Sequence, residues 1–259
     1  MIKFSGAVPV PLQLQEETGY HPDLDLLPSL ITSNTRLIIL NSPENPCGSN
    51  LSHAELEKIA NIVRQHQNLY IMSDEIYKDI LYTDSHNSIA AMQGMSEKTI
   101  ILDGFSKSYA MTGWRLGYGI MPSELVPHIT RLAVNSVSCA ASFSQIAAIA
   151  ALEGPQADVE AMVTEFAIRR TLISEGLRSI PNINCPEPEG AFYAFPSIKN
   201  LGLSSSEFED RSLREAGVAL LAGNAFGEFG EGYVRLSYAN SQENIQKAIE
   251  RLDKFVRSL

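Results

Sequence analysis

Two kinds of apolar pattern divide this chain. From Arg36 to Met121, short continuous apolar runs alternate with amphipathic stretches. "RLIIL" (36–40), "LYIMS" (69–73), "TIILD" (99–103) and "LGYGIM" (116–121) each read as a buried strand. Ser52 with Glu55 forms a capping box that opens an apolar-periodic helix through about Gln65. Continuous apolar strands separated by helices predict an α/β sheet covered on both faces and at least partly parallel. After Gly154-Pro155 the pattern changes. A long helix is expected with Val159, Met162, Val163, Phe166, Ile173 and Leu177 on its apolar face. Short strand-like runs follow ("AFYAF", "VALLAG", "YVRLSY"). A C-terminal amphipathic helix carries Ile245, Ala248, Ile249, Leu252, Phe255 and Val256. The expected organisation is a large α/β domain over 1–152 and a smaller α+β domain over 153–259, bridged by the long helix.

Composition narrows the functional classes. The 259 residues are 44% hydrophobic and 19% charged, enough apolar material for one large domain or two smaller ones. A net charge of −10 without a basic run argues against nucleic acid or an anionic membrane as partner. Cys47, Cys139 and Cys185 are odd in number and lack a C-x-x-C spacing, so they read as reduced thiols of a cytoplasmic protein. No apolar run approaches the length of a membrane span, and "MIKFSGAVPV" lacks the order of a signal peptide.

The candidate chemistry lies where the strands end. Strand 36–40 runs into "NSPENPCG" with Asn41 and Asn45, and strand 69–73 into "DEIY" with Asp74 and Tyr77. Strand 99–103 runs into "GFSK" with Lys107. Ligands of open α/β sheets sit outside the carboxyl ends of the strands. Parallel neighbours would therefore bring an amide, a carboxylate, a phenol and an amine to one crevice. No Cys/His clustering of a zinc site accompanies them. Taken singly, each residue has an ordinary explanation: a surface lysine, a proline-glycine turn, a loop acid, an ion-paired arginine. The ordered set is specific, and it suits pyridoxal phosphate. Lys107 would form a Schiff base with the cofactor aldehyde, and Asp74 would keep the pyridine nitrogen protonated. Asn45 and Tyr77 can hydrogen-bond the ring's phenolate oxygen. Arg115, eight residues after Lys107, would grip the phosphate with help from Ser106.

At these residues the sequence resembles the class I aminotransferases, the aspartate/aromatic superfamily of fold-type I pyridoxal-phosphate enzymes. "NSPENPCG" is similar to the family's asparagine-proline loop. "SDEIY" resembles its pyridine-binding aspartate and tyrosine, and "GFSKSYAMTGWRLGY" its lysine segment. "PEGAFYAF" and "LAGNAFGEFGEGYVRLSYA" resemble the small domain, and the match implies that Arg235 binds the substrate's α-carboxylate. The family fold would be a large domain with a mostly parallel sheet plus a smaller α+β C-terminal domain. The implied reaction moves an amino group between an L-amino acid of the aspartate or aromatic type and a 2-oxo acid. A homodimer is implied for the full-length family form. Cys47 stands where the family usually has threonine, Ala222 where proline is frequent, and Gly104 where many relatives have a phosphate-binding serine.

The resemblance also implies an edge strand at "MIKFSG", and family members carry a substantial part before the position matching Met1. That part supplies a phosphate loop and a ring-stacking aromatic. The chain as written is therefore expected to bind cofactor weakly, or to be an inactive fragment. Two further readings compete: a pyridoxal-phosphate lyase on the same scaffold, and a cofactor-sensing module. The sensing module is disfavoured by the acidic balance and the lack of a helix-turn-helix candidate.

Overall fold

The computed structural model describes residues 2–83 and 85–259. A short hairpin of β1 (Leu14–Gln15) and β2 (His21–Pro22) precedes α1 (Leu27–Leu30). The central sheet comprises β3 (Leu37–Asn41), β4 (Tyr70–Asp74), β5 (Thr99–Gly104) and β6 (Gly117–Ile120), in that spatial order. β3, β4 and β5 run parallel, and β6 returns antiparallel to β5. All four strands stand within a residue or two of their expected places.

Helix α2 (His53–Arg64) joins β3 to β4, and both halves of its capping box are formed. Leu56, Ile59, Ala60 and Val63 fall one helical turn apart and are buried with Leu69 and Ile71, with Ile38 and Leu40 packed against them. Burial of each large side chain in such a cluster contributes about 1.5–3 kcal/mol. The opposite side of β3 is bare: Leu37 is 41% exposed and Ile39 46% exposed. The expectation of cover on both faces is thus corrected for this strand. Its apolar positions alternate between packed and open, because the described residues bring a helix to only one of them.

The N-terminal expectation is corrected too. In place of a strand at "MIKFSG", Lys3–Ser5 form a single 3-10 turn closed by Gly6 at φ 81°, and Met1 lies outside the described residues. Ser5 donates both its amide and its hydroxyl to the Ile2 carbonyl, so the polar backbone is met locally rather than by a neighbouring strand.

Beyond the sheet lie α3 (Val126–Ser136), α4 (Ser142–Glu153) and the long α5 (Ala157–Ser179). The first two have no counterpart in the sequence reading. Leu132, Phe143 and Ile146 point to solvent on them; the first has no buried residue, and the second buries only Ser144 and Ala148. Next come β7 (Tyr193–Ala194), α6 (Ser205–Arg211), β8 (Leu221–Ala222), β9 (Val234–Ser237) and α7 (Gln242–Arg257). β9 lies between β7 and β8 and is antiparallel to both. α5 and α7 pack together, burying Phe166, Ile173 and Leu177 with Ile245, Leu252 and Phe255. This second core also takes in Tyr77 and Ile80 from the turn after β4, which links the long helix to the sheet's functional end.

The N-terminal hairpin belongs to both halves. Tyr20 is buried with Phe195 and Tyr233 and donates its hydroxyl to the Phe195 carbonyl at 2.5 Å. His21 sits between two carboxylates, Nδ1 2.8 Å from Glu55 of α2 and Nε2 3.3 Å from Glu189 before β7. The Glu189 hydrogen bond holds the imidazolium most strongly. Burial opposes it and Glu55 adds to it, and the balance pushes the histidine up to about 9. Both glutamates are correspondingly lowered, although burial works against each. A folded value above the ordinary 6.5 gives stability that is whole below about pH 6.5 and lost as pH rises through about 9. We expect urea unfolding to show a loss of about 1–2 kcal/mol across that window. His21→Gln should flatten it, and an equal slope in the variant would remove His21 as the cause.

Candidate active site

The carboxyl ends of β3, β4 and β5 converge as expected, and each carries its polar group into one region. Asn41, the last residue of β3, donates its amide to the Asp74 carbonyl at 3.0 Å. Its side-chain oxygen accepts the Asn45 backbone N–H at 2.9 Å, which fixes the "NSPENPCG" loop over the end of the neighbouring strand. The same loop is stitched to the C-terminal half, since Gly48 O accepts the amides of Glu189 and Gly190. Gly48 has φ 79°, and a Cβ there would meet the Pro188 Cβ at 2.6 Å, so the close approach requires glycine.

Across this seam Arg235 of β9 donates Nη1 to Asn45 Oδ1 at 2.9 Å. Its guanidinium lies 4.5 Å from the Tyr193 ring centroid and 4.9 Å from that of Phe226. Flanking rings and one amide hold the planar fork while leaving further donors for a ligand. Tyr77 and Tyr193 share a hydroxyl–hydroxyl hydrogen bond of 3.1 Å. Burial, reinforced by that bond, pushes the Tyr77 phenol well above its ordinary range, so it is a neutral donor near neutral pH.

Lys107 is half-buried, and its Nζ lies 5.6 Å from the Tyr77 ring centroid and 5.5 Å from that of Phe192. Among the described residues no hydrogen bond or ion pair engages its amine. Asp74 is half-buried and caps the following turn by accepting the Ile76 amide at 3.2 Å. Burial raises its carboxyl; the Ile76 amide and Lys107 oppose the rise, while Asp103 and Glu75 add to it. Such an acid gains strongly from a cationic neighbour.

Asn45 and Arg235 are thus in direct contact, Tyr193 links Arg235 to Tyr77, the Lys107 amine lies near the Tyr77 ring, and Asp74 and Lys107 interact through their charges. Ser106 and Arg115 are not tied into this cluster. Arg115 is exposed, with Nη1 donating to the Thr112 carbonyl at 2.9 Å, and both it and Ala110 have positive φ (53° and 52°). Non-glycine residues in that region cost about 1–3 kcal/mol each and concentrate at functional loops. Gly104 has a structural reason: a Cβ there would lie 2.9 Å from Gly117 Cα and 3.0 Å from the Leu116 carbonyl. A serine at that position would need the β5–β6 pair to move. The sequence reading missed Tyr193, Phe192 and Phe226. Alternation along "AFYAF" separates the sides of that strand, but the partners appear only when the two halves meet. A groove of ≈ 540 Å³ lies elsewhere, between Leu24–Pro28 and α2. Lys58 in its wall is already paired with Asp25, so no free set of groups converges there.

Comparison with known proteins identifies the family. The family model described as aminotransferase class I and II matches residues 1–252, and the chain belongs to that family. It is 41% identical to the aspartate aminotransferase of Pyrococcus abyssi, over 98% of this chain and 65% of that protein. To the aromatic-amino-acid aminotransferase 2 of Thermococcus litoralis it is 40% identical, over 98% and 65%. The crystal structure of the aromatic aminotransferase from Pyrococcus horikoshii superposes with a TM-score of 0.95 at 40% identity, covering 99% of this chain and 69% of that one. The chain thus spans about two thirds of the length of the proteins it matches. Among the described residues no helix is long and apolar enough to cross a membrane, and no group of His, Cys, Asp and Glu is placed to hold a metal ion.

Proposed function

We propose that this chain carries the catalytic core of a pyridoxal-phosphate-dependent aminotransferase, exchanging an amino group between an L-amino acid of the aspartate or aromatic type and a 2-oxo acid. The observation that carries the reading is the convergence of Asn45, Tyr77, Lys107 and Arg235 from four separate chain segments. The donor set fits the cofactor: an unengaged amine, a half-buried acid at a strand end, a neutral phenol and an amide. Bound there, pyridoxal phosphate supplies the aldehyde that takes up the amino group and the ring that accepts the electron pair released at the substrate's α-carbon.

The chain's own residues do the rest. Lys107 Nζ would hold the cofactor covalently and, once the substrate's amine has displaced it, would be free to move the proton at the α-carbon. Asp74 holds the proton on the ring nitrogen. Tyr77 would offer its phenolic hydrogen, and Asn45 its amide, to the ring oxygen. Arg115 and Ser106 take the phosphate. Arg235 receives the α-carboxylate in its fork. The same reading treats 1–152 as the large, cofactor-binding domain and 153–259 as the small one. It places the protein in the cytoplasm, in keeping with its free cysteines, and implies a homodimer for the full-length family form.

The test is 2-oxo acid formation from aspartate and from tyrosine, with and without 2-oxoglutarate. An aminotransferase forms product only with the acceptor and one equivalent of new amino acid. Product with ammonia and no acceptor would identify a lyase instead.

Arg235→Lys should raise KM by about tenfold or more for every amino acid tested. All share the α-carboxylate, and an ammonium cannot reproduce a bidentate contact worth about 1.5–3 kcal/mol. Steady-state kinetics on three unlike amino acids checks this. A loss confined to one of them would show that Arg235 reads the side chain.

A further inference from the structure

In its proposed role Tyr77 gives its one proton to the cofactor's ring oxygen, yet its hydroxyl already has a partner. Tyr193 of β7 shares a hydroxyl–hydroxyl hydrogen bond with it at 3.1 Å. Among the described residues neither hydroxyl has another partner, and both side chains are buried, Tyr77 at 4% and Tyr193 at 7% exposure. A phenol has one proton to give and lone pairs with which to accept. If Tyr77 donates to Tyr193, it has nothing left for a ligand. If Tyr193 donates to Tyr77, the Tyr77 proton is free.

The fold holds Tyr193 firmly in this place. Tyr193 lies opposite Ser237 in the antiparallel β7–β9 pair, so Arg235, two residues before Ser237, stands on the same face. The Arg235 guanidinium lies 4.5 Å from the Tyr193 ring centroid and the Phe192 ring 4.8 Å from it. The Tyr77 ring meets it edge-on at 5.9 Å. Arg235 treats Asn45 in a parallel way: by donating to Oδ1 it leaves the Asn45 amide hydrogens as the free donors. Both groups assigned to the ring oxygen are thus held from behind by neighbouring side chains of the C-terminal half.

We propose that Tyr193 is a positioning residue that sets the direction of the Tyr77 hydroxyl, donating its own proton to Tyr77 so that the Tyr77 proton is delivered to the ring oxygen. The proposal rests on the reading of Tyr77 as a ring-oxygen donor. A hydroxyl that receives a hydrogen bond is also the stronger donor, by about 10–30% per bond in a chain. Tyr193 therefore acts on the ring oxygen without touching it. Its ring, by contrast, serves Arg235, and Tyr193→Phe removes the first role while keeping the second.

The absorbance of bound pyridoxal phosphate follows the proton shared between its ring oxygen and the Lys107 nitrogen. Its pH midpoint therefore reports the donors at that oxygen without any turnover. Tyr77→Phe should raise the midpoint by about 1–2 pH units, because a hydrogen bond to the charged form of the oxygen is lost. Tyr193→Phe should raise it by about 0.3–0.6 unit. The double variant should match Tyr77→Phe within about 0.2 unit, since Tyr193 acts only through Tyr77. A fall in Tyr193→Phe would show that Tyr77 gives its proton to Tyr193, and would overturn the proposal. No change in Tyr193→Phe, or a further shift in the double variant, would overturn it as well. If Tyr193→Phe does not fold, 3-fluorotyrosine placed at Tyr193 decides, because it keeps the shape and donates more strongly. It should lower the midpoint by about 0.2 unit, and a rise or an unmoved midpoint overturns the proposal. A parent without bound-cofactor absorbance, or an unmoved Tyr77→Phe, would overturn the ring-oxygen reading and the proposal with it. A shifted Tyr77→Phe beside an unmoved Tyr193→Phe would overturn the role of Tyr193 alone.

Discussion

Lys107→Ala should lower transamination at least about 10³-fold while leaving the fold intact. The amine is asked both to carry the cofactor and to move the proton at the α-carbon. Positioned proton transfer alone is worth about 10²–10⁴ in rate, before the lost covalent step is counted. Structural cost should be small, because among the described residues the Lys107 side chain makes no hydrogen bond or ion pair and is only half-buried between the Tyr77 and Phe192 rings. Urea midpoints should therefore agree within about 0.5 kcal/mol of stability. Turnover within tenfold of the parent would show that another group does this work.

Asp74→Asn should reduce kcat by about ten- to a hundredfold or more with little change in KM for the amino acid. An amide cannot hold the ring-nitrogen proton by charge, and a charge-assisted contact in a half-buried site is worth about 1.5–3 kcal/mol. The substrate carboxylate is bound elsewhere, by Arg235, so its binding should be spared. The substitution also removes an acid whose ionisation burial disfavours, so stability should hold or rise slightly. Kinetics with circular dichroism on the same preparation measures both. A variant with normal kcat would take Asp74 out of the role.

The strand-end chemistry was legible because it depends on local rules. Apolar runs ending on Asn41, Asp74 and the turn to Lys107 are visible to periodicity. Parallel pairing then places those ends together without knowledge of side-chain contacts. The capping box of α2 was legible for the same reason. What periodicity could not reach is contact between distant segments. Arg235 meets Asn45 across 190 positions of sequence, and only the stitching of Gly48 to Glu189 and Gly190 brings them into register. Helices α3 and α4 were not identified from the sequence: their large apolar side chains are mostly exposed, and the buried positions of α4 are the small Ser144 and Ala148. The strand expected at "MIKFSG" failed because strand formation needs a neighbour, and Ile2–Gly6 satisfy their hydrogen bonds within one turn. His21 carries no signal in the sequence. Its two glutamate partners come from α2 and from the loop before β7.

The central claim is that this chain holds pyridoxal phosphate covalently through Lys107. Borohydride reduction of the protein incubated with the cofactor, followed by proteolysis and mass mapping, addresses it at single-residue resolution. The account predicts one pyridoxyl group on the peptide containing Lys107, and its loss in Lys107→Ala. A label on Lys78 or Lys98, or labelling that persists in the variant, would contradict it.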